Sequence, residues 1–341
     1  RSRELGAGAS GNPAGLVMPR LDRGPLSELF LAAYLNAVAT YEALGVFTAC
    51  GVEQRAEPSK QTTFFHQLSD PPLPEDWLTA LGPDAALHPR AGILRPRAAL
   101  EAMLRGAQVQ FEAEVRSLDR SGDGWVLRAP DGRAMLKADA VVLACGAALT
   151  RFEPASFLPI TLSRGQIEWG EGPAPARALV RGNYVAPFEG GVLFGATFDK
   201  VDDASEAPAL EDARARNIAA LRKLAPEIAE KLDPWKLHSR ASLRATTPDR
   251  LPIAGVLPDA PAWLAQYDGI AHGRKVETEA PPPAHAGIYV VGGLGARGLT
   301  VAPLLGERIA SEICGEPAPL SQFVLDAIHP ARFLLRALKR R

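Results

Sequence analysis

No stretch constrains the fold of this chain more than Ile288-Tyr-Val-Val-Gly-Gly-Leu-Gly-Ala-Arg-Gly-Leu-Thr300, which runs straight into the apolar residues 301–314. A β run, a glycine turn and a helical run follow one another, the order of an α/β unit. Gly293, Gly295 and Gly298 satisfy the pattern GxGxxG. That pattern grips a dinucleotide when it opens a βαβ unit carrying an acidic residue about 20 positions further on. Here the helix ends near Gly315, and the residues beyond it are broken by prolines and then turn basic. The turn therefore aims a helix N-terminus, with its free N–H groups and partial positive charge, at something electron-rich without being the usual phosphate-binding turn. On these residues alone, a helix packed closely on a strand through its glycines is equally open.

A second apolar run, Ala140-Val-Val-Leu-Ala-Cys-Gly146, reads as a strand buried on both faces of a sheet, with a tight turn at its end. Residues 5–18 are rich in glycine and alanine, with Gly6, Gly8, Gly11 and Gly15 around Ser10 and Asn12. Such a segment either brings backbone N–H groups close to an anion or forms a flexible surface loop. Helical spacing of Leu26, Leu29, Phe30, Ala33, Tyr34 and Ala37 predicts a helix over 25–44, with Gly24-Pro25 at its start. The pattern weakens over 58–74, where Pro71-Pro72 marks a loop. Strands are expected at 92–94, 109–118, 125–128 and 134–137, and a helix at 96–104. The middle changes texture: short strands at 160–169, 178–187 and 191–198, then an amphipathic helix over 211–232, predict an antiparallel sheet with a covering helix. Pro281-Pro282-Pro283 is a loop, and Trp125, Trp169 and Trp235 read as core residues.

Composition removes several function classes. A net charge of -1 gives no global attraction to nucleic acid, so any such binding needs a local patch. The 3 cysteines, Cys50, Cys145 and Cys314, form no CxxC pair and point to a reducing, cytoplasmic setting rather than to a disulfide framework or a zinc site. The 6 histidines make no metal-binding pair, and no metal is expected. No apolar run reaches membrane-spanning length. Arg1 is not an initiator methionine, and the chain is expected to be part of a longer protein.

Together these segments resemble the D-amino-acid-oxidase-like flavoenzymes, the glycine oxidase or sarcosine oxidase group. Arg244-Ala-Thr-Thr-Pro-Asp-Arg-Leu-Pro-Ile-Ala-Gly255 is similar to that group's Arg-Pro-x-Thr-Pro-Asp-x-x-Pro-x-Ile-Gly segment, with Ala245 where proline is usual. Within the group the chain resembles the FAD-dependent oxidoreductase module of the bifunctional tRNA 5-methylaminomethyl-2-thiouridine biosynthesis family. The matching stretches are Gly8-Ala-Ser-Gly-Asn-Pro-Ala-Gly-Leu16, Arg164-Gly-Gln166, Arg240-Ala-Ser-Leu-Arg-Ala-Thr-Thr-Pro-Asp-Arg250, Gly292-Gly-Leu-Gly-Ala-Arg-Gly-Leu299 and His329-Pro-Ala-Arg332, spread over nearly the whole chain. The family's first strand, GxGxxG turn and ribose-binding acid are expected upstream of Arg1, and a fused methyltransferase domain is the further partner that the resemblance raises.

The resemblance implies a fold class of α/β (α+β): a D-amino-acid-oxidase-like FAD-binding domain truncated at its first βαβ unit, plus a substrate domain with a mostly antiparallel sheet. Residues 1–50, 90–155 and 285–316 would form the first, 51–89 and 156–284 the second, and 317–341 a basic tail. FAD would be held by Gly8, Ala9, Ser10, Gly11, Asn12 and Gly15, by Val115, Ala144 and Gly146, and by Gly293, Gly295, Gly298, Leu299 and Thr300. The implied reaction is removal of the carboxymethyl arm of 5-carboxymethylaminomethyl-2-thiouridine at the tRNA wobble position as glyoxylate. An arginine fork is the natural carboxylate anchor; Arg297 stands first, then Arg244 and Arg240, then Arg181, with Tyr184 closing the site. Asp249 is expected to cap its Thr-Pro-Asp turn. Arg332, Arg336, Lys339, Arg340 and Arg341 make a basic strip suited to tRNA phosphates, or a solubilising end-piece. Two other readings stay open: an oxidase of a small amino acid such as glycine or sarcosine, and a non-catalytic RNA-binding remnant.

Overall fold

The computed structural model describes residues 2–21, 26–57, 59, 73–202, 207–276 and 278–340. The expected loop prolines Pro71 and Pro72, the helix-opening Gly24-Pro25 and the terminal Arg341 lie outside them. The glycine turn sits where the pattern placed it. Strand Ala284–Gly292 leads into a short turn of 3-10 helix, Gly295–Arg297, and then helix Gly298–Cys314, which Gly315 ends in a left-handed conformation. That helix packs along helix Ser27–Ala43 through Leu29, Phe30 and Ala33 on one side and Val301, Leu304 and Leu305 on the other. Tyr41 fixes the pair by donating its hydroxyl to the Leu299 carbonyl at 2.8 Å.

Strand Ala284–Gly292 pairs in parallel with Val141–Leu143 and antiparallel with Ile253–Pro258. A meander of Ser117–Ser121, Gly124–Arg128 and Ala134–Ala138 closes over this sheet, and Trp125 is buried with Val141, Leu143, Ile288 and Val290. Among the described residues the largest sheet has nine strands and is mostly antiparallel. Its spine is the long strand Thr161–Glu171, which pairs with His238–Thr246 on one edge and Gly191–Gly195 on the other. Helix Glu211–Leu224 lies across it, as the middle of the sequence predicts.

Several expectations fail for reasons outside local sequence. The alternation over 109–118 forms a strand only from Ser117; Val109 and Phe111 are 45% and 43% exposed, with no ladder partner among the described residues. The run over 140–146 is a strand only at Val141–Leu143 and is not buried on both faces, because Val142, 42% exposed, faces the cavity while Val141 and Leu143 are buried on the other face. The helix over 211–232 breaks at Ala225, since Pro226 lacks the N–H that would continue it. Trp235 is not core but 92% exposed on a 3-10 turn capped by Asp233. The basic C-terminal stretch, in contrast, is packed over its described residues 317–340: helices Gln322–Ile328 and Arg332–Leu338 lie on the body, with Val324, Ile328, Phe333, Leu334 and Leu338 buried. Arg332, 7% exposed, is a structural residue bound to Asp249 and to the Ile328, His329 and Leu251 carbonyls. Arg336 pairs with Asp249 yet stays exposed, and Lys339 and Arg340 are the exposed cations of the expected strip, among the described residues, that are not drawn onto Asp249.

One buried group makes the fold acid-sensitive. His88, 0% exposed on strand Ala85–His88, pairs its Nε2 with Gln54 Oε1 at 2.9 Å, and its Nδ1 has no partner among the described residues. Burial pushes its pKa from 6.5 down to about 4. The unfolded chain therefore takes up this proton before the folded one does. The stability that neutral His88 contributes is complete above pH 6.5 and is lost as the pH falls to about 4. At ~1.4 kcal/mol per unit, the loss is about 2–3 kcal/mol. His88→Gln, which cannot take up the proton, is expected to flatten the fall in urea midpoint between these two pH values. Parallel pH profiles for the two proteins would assign the sensitivity elsewhere.

Candidate functional site

A cavity of about 1400 Å³ opens between the glycine turn, the N-terminal loop and the large sheet. Gly293 and Gly295 adopt φ of 65° and 58°, and this lets the backbone turn sharply into the next helix. Gly298, Leu299 and Thr300, the first turn of that helix, line the cavity, so its unpaired N–H groups lie at the wall. Ala144 and Gly146, at the end of the short parallel strand, line it beside them. Gly15 also lines it, and a Cβ there would stand 2.1 Å from Leu299 Cδ1, so a larger residue would have to displace the Leu299 side chain.

The loop over 6–12 is held by one side chain. Arg240 donates to the carbonyls of Gly6, Ala7 and Gly8 at 3.2, 3.1 and 2.9 Å and to Asn12 Oδ1 at 3.1 Å. Those bonds remove Arg240 from the candidate carboxylate anchors. They also turn the Asn12 carboxamide oxygen onto the arginine, although Asn12 lines the cavity with Gly8, Ala9 and Ser10. Gly11 does not line it; a Cβ there would lie 1.8 Å from the Gly6 carbonyl oxygen, so it is a packing glycine. Val115 is also off the cavity, half-buried ahead of the meander.

The sheet wall carries Arg244, Tyr184 and Phe198. Arg244 crosses its neighbouring strand at Gly165, where a Cβ would fall 1.9 Å from Nη1. Nη1 donates to the Thr197 carbonyl at 2.9 Å, and Cζ sits 4.2 Å from the centre of the Phe198 ring. Burial lowers the Arg244 pKa, against the opposing influence of Tyr184, yet a guanidinium remains charged. Burial pushes Tyr184 up to about 12, against the pull of Arg244, so the phenol is neutral and hydrogen-bonding rather than basic. Arg297, on the 3-10 turn, lines the cavity and is half-buried. Glu307 is the only acidic lining residue among the described ones, and it lies more than two helical turns from Gly298. The cavity therefore favours an anionic ligand and, among the described residues, holds no histidine or aspartate to act as a base.

Asp249 caps its turn, accepting from Thr247 Oγ1 at 2.8 Å and Leu251 N at 3.1 Å, and takes no part in the cavity. The residues that local reading missed are Gly165, Thr197 and Phe198. Arg164-Gly-Gln166 was legible as a resemblance, but nothing local says that an arginine from another strand lies over its glycine. Phe198 ends an expected strand, and its 58% exposure comes only from the packing around it.

Comparison with known proteins gives the arrangement a family. The model of the FAD dependent oxidoreductase family matches residues 1–312. The tRNA 5-methylaminomethyl-2-thiouridine biosynthesis bifunctional protein of Chromohalobacter salexigens is 35% identical over 368 residues, covering 97% of this chain and 52% of that protein. Its counterpart in Pseudomonas putida is 33% identical over 361 residues, covering 97% and 55%. The chain thus spans about half the length of the curated relatives it matches. Among solved structures, iminodiacetate oxidase from Chelativorans superposes with a TM-score of 0.73 at 22% identity, covering 96% of this chain and 91% of that one. Glycine oxidase from Geobacillus kaustophilus gives 0.71 at 20% identity, covering 94% and 88%. These two establish the fold, that of the D-amino-acid-oxidase-like flavoenzymes. By its sequence over residues 1–312, the chain belongs to the FAD dependent oxidoreductase family.

Proposed function

We propose that this chain is the oxidoreductase part of a tRNA-modifying enzyme that removes the carboxymethyl group from 5-carboxymethylaminomethyl-2-thiouridine at the wobble position, leaving the aminomethyl form. The observation that carries the reading is the Arg244 guanidinium, locked between Gly165, Thr197 and Phe198 on the wall of a cavity with a single, remote acid among its described lining residues. Such a group recognises a carboxylate by two parallel hydrogen bonds. The names of the relatives supply the RNA context, and a tRNA substrate puts the protein in the cytoplasm.

The residues fit FAD. The cavity exceeds the roughly 300–1,000 Å³ of sites for drug-sized ligands, leaving room for a dinucleotide and a substrate. Gly8, Ala9, Ser10, Ala144, Gly146, Gly293 and Gly295 offer backbone and small side chains, so a flat ring system can lie close. The N–H groups of Gly298, Leu299 and Thr300 would face its electron-rich edge. When bound, FAD accepts a hydride from the CH2 beside the substrate nitrogen. Arg244 would hold the carboxylate, and Tyr184 beside it would donate a hydrogen bond as a neutral phenol. With Glu307, more than two helical turns from Gly298, as the one carboxylate among the described lining residues and no histidine or aspartate beside it, the amine must enter deprotonated.

The test uses the full-length protein with whatever precedes residue 1. Its visible spectrum is expected to show bound flavin, and incubation with undermodified tRNA should release glyoxylate and yield aminomethyl-thiouridine. Glyoxylate from glycine or sarcosine, but none from tRNA, would make it an amino-acid oxidase instead. A flavin-free, RNA-binding protein would remove the enzymatic reading altogether.

A further inference from the structure

Among the described residues, Phe198 is the strongly exposed aromatic side chain that lines the cavity. It is 58% exposed, more than the lining residues Met103, Val142 and Ile313, whereas the exposed aromatics Phe111, Phe323 and Trp235 lie away from the cavity. Exposure of this kind is often relieved by a loop folding inward. Here both chain neighbours are fixed. Thr197, 6% exposed, exchanges hydrogen bonds with Gln166 through N at 3.2 Å and Oγ1 at 3.1 Å, and its carbonyl takes Arg244. Asp199 is held by Arg216 at 2.7 and 2.9 Å and by Arg164 at 2.9 Å, and Arg216's hydrogen bond leads the contacts that draw its pKa down to about 2. The ring therefore stands at the cavity on a backbone that cannot withdraw it, with the Arg244 guanidinium against it at 4.2 Å.

We infer that Phe198 is the stacking platform for the substrate's heteroaromatic base. This rests on the wobble-nucleoside reading above and deepens it by assigning the surface that recognises a base rather than a free amino acid. The geometry is economical. The base and the carboxylate of the proposed substrate are joined by an arm of four bonds, roughly 5 Å long. An aromatic ring and a guanidinium in direct contact can therefore hold both ends of one residue. Stacking on an aromatic side chain tolerates a splayed-out base and is how single-stranded RNA is most often gripped.

The test measures binding of an anticodon stem-loop with an unmodified wobble uridine, and of the same RNA abasic at that position, to the FAD-loaded full-length protein. Neither RNA carries the carboxylate arm, so only the base differs, and turnover is assayed separately on the modified RNA. The wild type is expected to prefer the intact RNA about tenfold, the scale of one lost base–aromatic stack. Phe198→Leu should erase that preference. Phe198→Trp should keep it, with tryptophan emission quenched by the intact RNA and not by the abasic one. A preference that survives in Phe198→Leu overturns the inference, as does a wild type that turns over the modified RNA yet binds both forms equally. Absence of turnover in the wild type instead sinks the underlying function.

Discussion

Arg244→Met is expected to lower kcat/KM for the carboxylate-bearing substrate by about 2–4 kcal/mol in transition-state terms, the scale of a removed charge-assisted anchor. At 1.36 kcal/mol per decade that is roughly thirty- to a thousandfold. Two features favour Arg244 over Arg297, which the sequence puts first. Its guanidinium is pre-positioned by the Thr197 carbonyl and by contact with Phe198, so little side-chain freedom remains to be lost on binding. It is also the charge that opposes the effect of burial on the Tyr184 phenol, so the two groups, both lining the cavity, lie within electrostatic range of each other. Gly165→Ala supplies an independent check. The added methyl would fall 1.9 Å from Nη1, so the guanidinium must leave, and the variant should lose activity in the same direction without any change of charge. Arg244→Lys keeps the charge but not the fork and should recover little. Measuring the same variants on a substrate amide, which has no carboxylate, separates anchoring from collapse of the pocket. Equal losses on acid and amide would mean that Arg244 supports the wall and another arginine binds the carboxylate.

The contrast among Arg240, Arg244 and Arg297 shows where the sequence stops being informative. All three read alike: arginines near small residues in stretches that resemble one family. What separates them is distance along the chain. Arg240 is consumed by acceptors more than 220 positions away, whereas Arg244 is positioned by a carbonyl 47 positions away. The glycine turn was legible because strand, turn and helix are each encoded by adjacent residues, and its left-handed glycines announce themselves. The run at 109–118 misled because alternation records only a local preference, whereas a strand also needs a neighbour to bond. Strand His238–Thr246 went unread as a strand because its serines, arginines and half-buried positions blur the two-residue period. Asp249's capping role, in contrast, followed from the Thr-Pro-Asp turn itself and holds in the structure.

The same limit hides a buried polar network of the large sheet, and Glu168→Ala is expected to destabilise the protein by about 3–5 kcal/mol, as for a buried charge pair broken on one side. On strand Thr161–Glu171, Gln166 and Glu168 share one face, which alternation alone would send to solvent. Helix Glu211–Leu224 covers it instead, and both residues are 0% exposed. Glu168 accepts from Gln166 Nε2 at 2.8 Å, from Asn217 Nδ2 at 3.3 Å and from the Ser239 hydroxyl, which in turn accepts from Arg214. The Arg214 guanidinium itself stands 3.5 Å away. Removing the carboxylate would take an acceptor from Gln166, Asn217 and Ser239 under the helix and the ion-pair partner from Arg214, and each unmet donor costs about 1–3 kcal/mol. Glu168→Gln keeps the shape but sets an amide N–H2 among donors, so an intermediate loss is expected. Glu168→Leu paired with Arg214→Leu, which removes both charges and restores apolar volume, should recover much of the deficit. Urea midpoints of the four proteins measure this directly. The network also reaches the cavity, because Gln166, whose carbonyl accepts from Asn217 at 3.0 Å and from Thr197 N at 3.2 Å, sets the strand on which Thr197 presents its own carbonyl to Arg244. A clamp of this kind predicts that Glu168→Gln raises KM for the carboxylate-bearing substrate at temperatures where the protein is still fully folded. Stability lost with KM untouched would confine the network to holding the helix, and a stability loss under about 1 kcal/mol would leave it without either role.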